Sequence, residues 1–257
     1  MTLSAPKAEG SVEESHPSAI THVPSHLRLW LFAVGILALD LWSKSWIFQN
    51  LEPSETSEII PQVVVFQRQM NDGAVFGSLT GMVGLFVVAS IFALAFVGVL
   101  FVSSSIKQRV LHIALGMILA GALGNLFDRA FIHADIAVFQ SGTKIIGKVL
   151  EESSDSETIC IGPWPDGEAA RTFPRSELVE LKSQGVVRDF IKFVPKFPRW
   201  VPVLGGIEMW PWVFNVADAA LVVGVGVLLV CFWAERRRSH SVRRVATKKE
   251  VATPVGD

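Results

Sequence analysis

Hydrophobic and polar positions are segregated into long blocks along this chain. Four apolar stretches stand out: 27–48 (LRLWLFAVGILALDLWSKSWIF), 82–102 (MVGLFVVASIFALAFVGVLFV), 110–132 (VLHIALGMILAGALGNLFDRAFI) and 211–233 (PWVFNVADAALVVGVGVLLVCFW). A helix rises ~1.5 Å per residue, so about 20 residues cross a hydrocarbon core roughly 30 Å thick, and each stretch predicts a transmembrane helix. Strands of a membrane barrel would alternate polar and apolar residues over about ten positions, which these stretches do not do. Residues 1–26 are rich in Ser, Pro and Glu and show no hydrophobic period, which predicts a disordered tail. They carry neither the basic region nor the cleavage site of a signal peptide. Between the first two apolar stretches, EIIPQVVVFQRQ (58–69) is rich in β-branched residues and predicts a strand. It runs into NDGAVFG (71–77), where Asp72-Gly73 is turn chemistry. Segment 133–210 holds short strand-like patches, TKIIGKVL and ETICIG, followed by several prolines. The pattern predicts an α-helical integral membrane protein with four transmembrane helices and a small external β-containing region.

Composition sharpens this picture. The chain has 257 residues, 50% hydrophobic and 18% charged, with a net charge of −1 and a mean hydropathy of +0.43. Disorder of the whole chain is excluded, and no basic excess points to nucleic acid. There are eight Trp and no Tyr. Trp30, Trp42, Trp46, Trp200, Trp210, Trp212 and Trp233 fall at or near the ends of apolar runs, where amphipathic indoles favour the headgroup level. Cys160 lies in a polar stretch and Cys231 in an apolar one, and neither belongs to a CxxC.

Charge sets the orientation. Loop 103–109 carries Lys107 and Arg109, and the C-terminal tail carries Arg236, Arg237, Arg238, Arg243, Arg244, Lys248 and Lys249. Segment 49–81 has one basic residue, Arg68, against three Glu and one Asp. The positive-inside rule puts both termini in the cytoplasm; segment 133–210, with nine Lys or Arg, is too long for the rule to govern it. The expected division is a cytoplasmic tail 1–26, spans one to three with an external strand segment (49–81) over 27–132, an external insertion 133–187, a segment with span four over 188–233, and a basic cytoplasmic tail 234–257.

Ionisable groups inside apolar spans are functional candidates, because a charge at mid-membrane costs about 2.5–3.5 kcal/mol even on the lenient insertion scale. Asp40 and Lys44 stand at i,i+4 in the first span, suited to an ion pair. The third span has Asn125, Asp128 and Arg129, the last two expected to pair with each other, and the fourth has Asn215 and Asp218 in its first turns. Asp189 sits in the apolar run VVRDFIKFV. In the predicted topology all of them fall at the external ends of the spans. Ala120-x-x-x-Gly124 and Ala220-x-x-x-Gly224 are small-xxx-small patterns of close helix packing. His112 is expected to be a packed polar residue. With no HExxH, GxSxG or P-loop, no zinc, cofactor or nucleophilic serine is called for, which leaves carboxylates as the chemistry. Two other classes stay open at this point. A transporter or proton channel is one, tested by electrogenic flux without substrate. An assembly factor that only pairs helices is the other, tested by harmless Asn substitutions at Asp189 and Asp218.

Five motifs, in order, resemble those of the lipoprotein signal peptidase (signal peptidase II) family of bacterial membrane aspartyl proteases. DLWSK (40–44) resembles the D-x-x-[ST]-K box, NDGAVFG (71–77) the N-x-G-A-[AWF]-G box, and GALGNLFDR (121–129) the G-G-A-x-G-N-x-x-D-R box. RDFI (188–191) is similar to the V-V-D-F box and FNVADAALVVG (214–224) to the F-N-x-A-D box. Arg188 stands where the pattern has Val, and Arg129 and Asp189 lie 60 positions apart where the family's connection is short. The resemblance implies that Asp189 and Asp218 form a catalytic pair sharing one proton. It also implies support from Asp40, Lys44, Asn71, Gly73, Asn125, Asp128, Arg129 and Asn215, with no metal and no cofactor. The implied substrate is a prolipoprotein cut just before its diacylglyceryl-modified Cys, with membrane lipid the other partner. The implied setting is a monomer in the bacterial inner membrane with its site at the external face.

Overall fold

Helix α3 (Arg109–Phe131) is the axis of the molecule. It packs against α1 (Val23–Asn50), α2 (Val83–Ser103) and α4 (Val216–Ala252). The structure, a computed structural model, describes residues 19–53, 55–73, 83–151, 157–165 and 170–252. By length and composition α1, α3 and the Val216–Arg238 part of α4 can each cross a membrane, and α2 is a further apolar helix with no ionisable residue. Large apolar side chains such as Leu31, Phe92, Val99, Val222 and Leu229 face outward. A contiguous apolar exterior of this kind belongs in lipid, and the chain is a multi-pass membrane protein.

Small residues let the helices meet. Inside a bilayer apolar side chains gain nothing by leaving lipid, so association depends on close van der Waals approach. A Cβ added at Gly121 would lie 2.5 Å from the Ala217 carbonyl oxygen of α4, and one at Gly124 would lie 2.5 Å from Asp40 Oδ2 of α1. One at Gly224 would meet Ile118 Cγ1 at 2.8 Å. Both small-xxx-small patterns therefore fall in real helix contacts.

Two antiparallel sheets cover one end of the bundle. The first has the order β1-β2-β8-β9, from β1 (Thr56–Ile60), β2 (Val64–Asn71), β8 (Val187–Phe193) and β9 (Val213–Phe214). The second is formed by β3 (His133–Phe139), β4 (Lys144–Glu151), β5 (Thr158–Gly162), β6 (Arg171–Pro174) and β7 (Leu178–Gly185), in the order β6-β5-β4-β3-β7. Ala137, Phe139, Ile159 and Ile161 form its small core. The chain passes from β7 to β8 through Val186, whose N–H donates to the Ile132 carbonyl at the end of α3. At Gly185 a Cβ would lie 1.9 Å from the Arg129 carbonyl oxygen, so only glycine fits this crossing.

Three expectations need correction. Residues 19–26 are folded: Ala19–Thr21 is a 3-10 helix tied to the Ser104 carbonyl, and α1 starts at Val23, since Pro24 suits the first helical turn. The rest of that expected tail, 1–18, lies outside the described residues. The single strand 58–69 is a hairpin instead, because Pro61 lacks an N–H and Gln62 takes a left-handed φ of 60°. The fourth span starts at Val216, five residues late, because Pro211–Phe214 runs extended and Val213 and Phe214 join the first sheet. Asn215 thus caps α4 and is not part of its first turn.

Gly124→Ala drives a methyl group into the Asp40 carboxylate. Overpacking of this kind costs about 1–3 kcal/mol, and a lowered Tm in detergent is the expected reading, with Gly35→Ala, where the added Cβ meets nothing, left near wild type.

Candidate active site

The first N–H groups of a helix have no partner inside it. At the start of α4 three side chains form the cap. Asn215 Oδ1 accepts the Asp218 N–H at 2.9 Å, and Asp218 Oδ2 accepts the Asn215 N–H at 3.2 Å. This is the reciprocal pattern of a capping box, here built from Asn and Asp. Asp40, reaching across from α1, takes the Ala217 N–H on Oδ1 at 2.8 Å. Two of the expected site residues therefore fix the start of α4 and the position of the third.

Behind the cap runs a chain of buried charges. Lys44 Nζ lies 2.7 Å from Asp40 Oδ2 and 3.4 Å from Asp128 Oδ2, and all three side chains are fully buried. Arg188 completes the chain: its Nη2 meets Asp128 Oδ1 at 2.7 Å, and its backbone N–H donates to Asp128 Oδ2 at 2.9 Å. Two carboxylates and two cations cancel. The expected Asp128–Arg129 pair is thereby corrected. Adjacent helical residues point about 100° apart, so Asp128 faces Lys44 and Arg188 while Arg129 sits within electrostatic reach of Asp218 first, then Asp189 and Asp128. Arg188 itself was not expected to serve the site. The signal was available: a charge in the apolar run VVRDFIKFV needs a buried counter-charge, and strand alternation turns it away from Asp189.

Asp189 and Asp218 come together across this frame. Asp189, 1% exposed, projects from β8 opposite Gln69 of β2. Its Oδ1 accepts from Asn215 Nδ2 at 2.6 Å and its Oδ2 from Asn71 Nδ2 at 3.0 Å. Asp218 is half-buried, and its Oδ1 accepts from Asn125 Nδ2 at 2.7 Å. Asn125 Oδ1 takes Lys44 Nζ at 3.2 Å and Asn215 Nδ2 at 3.1 Å, which fixes which way its amide points. Gly73, at a φ of 91°, gives its N–H to Asn71 Oδ1 at 2.9 Å and fixes that amide too. All ten expected residues thus lie in or beside one network. Ala74–Gly77 of the NDGAVFG motif lie outside the described residues.

The electrostatics set Asp189 apart. Burial pushes the Asp189 carboxyl up to about 8, the Asp218 charge adds to this, and the amides of Asn71 and Asn215 pull the other way without prevailing. Two carboxyls at one site, one buried against water and one half-open to it, can hold and pass a single proton. Among the described residues no group of His, Cys, Asp and Glu is arranged to hold a metal ion. His112, at the opposite end of α3, hydrogen-bonds the Ser104 hydroxyl at 3.0 Å as a packed polar residue.

Apolar spans, a sheet cap and a carboxyl pair at the sheet end of the bundle define an integral membrane protein with paired aspartates among its buried polar groups. Comparison with known proteins narrows this. A solved bacterial membrane enzyme, determined by the in meso method at 2.3 Å, superposes with a TM-score of 0.52 at 20% identity, over 81% of this chain and 88% of that one. The lipoprotein signal peptidase of Shouchella clausii (strain KSM-K16) is 35% identical over 201 residues, 78% of this chain and 89% of its own. That of Desulfitobacterium hafniense (strain DSM 10664 / DCB-2) is 26% identical over 216 residues, 83% of this chain and 98% of its own. The family model described as signal peptidase (SPase) II matches residues 32–234. The chain belongs to the signal peptidase II family.

Removing one partner of a buried pair costs about 3–5 kcal/mol. Arg188→Val is expected to lower Tm markedly by leaving Asp128 with Lys44 alone. Adding Asp128→Asn should recover much of the loss; a double variant no more stable than Arg188→Val would show that the charge is not what matters.

Proposed function

We propose that Asp189 and Asp218 are the catalytic pair with which this chain hydrolyses its substrate. The protein is a lipoprotein signal peptidase, an aspartyl protease that removes signal peptides from prolipoproteins. The observation that carries the assignment is Asn215, which caps α4 through Asp218 and donates to Asp189 with the same side chain. In the reaction, Asp218 accepts a proton from water as the water oxygen attacks the scissile carbonyl. Asp189, protonated at neutral pH, hydrogen-bonds the carbonyl oxygen and stabilises the charge that develops there. The proton held by Asp218 then passes to the leaving nitrogen, the C–N bond breaks, and the pair returns to its starting state.

The finer features belong to the same proposal. Cleavage falls just before the diacylglyceryl-modified cysteine. The lipid-facing sides of the helices accept the acyl chains, and the site opens at the external face of the inner membrane. Four spans, with α2 as the second, put both termini in the cytoplasm, as the basic C-terminal end of α4 supports. The protein works as a monomer.

Asp189→Asn and Asp218→Asn should each cut processing of a diacylglyceryl prolipoprotein by at least about a hundredfold, in the presence of EDTA and with membrane insertion intact. Full activity in either variant ends the assignment. A raised carboxyl must stay protonated to work, so kcat/KM should hold below the Asp189 value and fall as pH rises through about 8. A profile flat from pH ~6 to ~10 would assign the acid to another group.

A further inference from the structure

The insertion grips the turn that positions Asp189. Asn71 ends β2, and its amide serves Asp189 on one side and the Gly73 N–H on the other. The residue between, Asp72, is 3% exposed although it carries a charge. Both of its carboxylate oxygens meet Lys144 Nζ, at 2.9 and 2.8 Å, and Lys144 opens β4 of the insertion sheet. Gln184 of β7, two strands away in that sheet, donates its side-chain amide to the Asp72 carbonyl oxygen at 3.4 Å. Two strands of the insertion thus hold residue 72 by its side chain and its backbone. A buried carboxylate that loses its cation must either take a proton or move toward water, and movement here carries Asn71 with it.

We infer that Lys144 and Asp72 are positioning residues, and that the insertion between α3 and β8 serves to lock the Asn71 turn against Asp189. The inference rests on Asp189 being catalytic. The lock has a chemical consequence besides stability. Asn71 donates to the carboxylate form of Asp189, so loosening it strengthens the hold of Asp189 on its proton. The other charged groups around Asp189 are Asp218 on α4, Lys44 on α1 and Arg129 on α3, and none of them is touched by a change at Lys144. Arg188, next in the strand, points away toward Asp128.

The test is processing of a diacylglyceryl prolipoprotein by the full chain in detergent, as kcat and KM across pH, with unfolding followed in parallel. Lys144→Met should lower kcat by about ten- to a hundredfold with little change in KM. It should also move the alkaline limb upward by about half a pH unit. Lys144→Arg should keep wild-type behaviour, and Lys144→Asp with Asp72→Lys should restore kcat and the limb together. Lys182→Ala, which breaks only an exposed pair with Glu180 on the same sheet, should change neither. If Lys144→Met does not fold, Lys144→Gln, which keeps a donor toward Asp72, is read on the same two quantities. Wild-type kcat and an unmoved limb in a folded variant overturn the lock. Since Asp189→Asn is assayed beside it, that result is distinct from failure of the catalytic assignment, in which Asp189→Asn would itself cut.

Discussion

Four charges packed out of reach of water hold this structure at its working end. Asp40, Lys44, Asp128 and Arg188 alternate in sign across α1, α3 and β8, and three of them are fully buried. Any one alone in that setting would cost several kcal/mol. Together they cancel, and the directions of their hydrogen bonds then dictate where the backbone goes. Asp40 pins the start of α4 through Ala217, and Asp128 pins β8 through the Arg188 N–H. Asp218 rides on the first of these elements and Asp189 on the second. The separation of the two carboxyls is therefore a property of the buried ion chain.

Three asparagines translate that frame into chemistry. Asn125, Asn71 and Asn215 each use the amide oxygen on a fixed donor, which leaves the amide nitrogen aimed at a carboxyl. A neutral donor can orient a carboxyl without pinning its charge as a cation would. Burial can thereby raise the proton affinity of Asp189 against the pull of its two amide donors.

Much of this was legible in the sequence, for physical reasons that can be named. The apolar stretches are long because a bilayer is thick, and charges within them stand out because they are costly there. The Asp40–Lys44 pair followed from helical spacing. The ordered motifs brought Asp189 and Asp218 forward although 29 positions separate them. What stayed hidden depends on which way side chains turn. Asp128 and Arg129 are neighbours in sequence but point to different elements. Arg188 looked like a charge beside Asp189, yet strand alternation puts it on the other face against Asp128. Lys144 lies 72 positions from Asp72, and only the folding of the second sheet brings them together. The break at Pro61 and Gln62 and the late start of α4 were missed because β-branched and apolar content outweighed the local turn signals.

In the proposed mechanism two carboxyls share one proton, and Asp189 holds it. Infrared difference spectroscopy on selectively labelled aspartate, with an Asp189→Asn subtraction, reads that proton directly. A protonated Asp189 carboxyl at neutral pH that ionises near pH 8 is the expected result. Asp218→Asn, by removing the neighbouring negative charge, should move this ionisation to lower pH. An Asp189 already ionised at neutral pH, or a titration indifferent to Asp218, would contradict a shared proton.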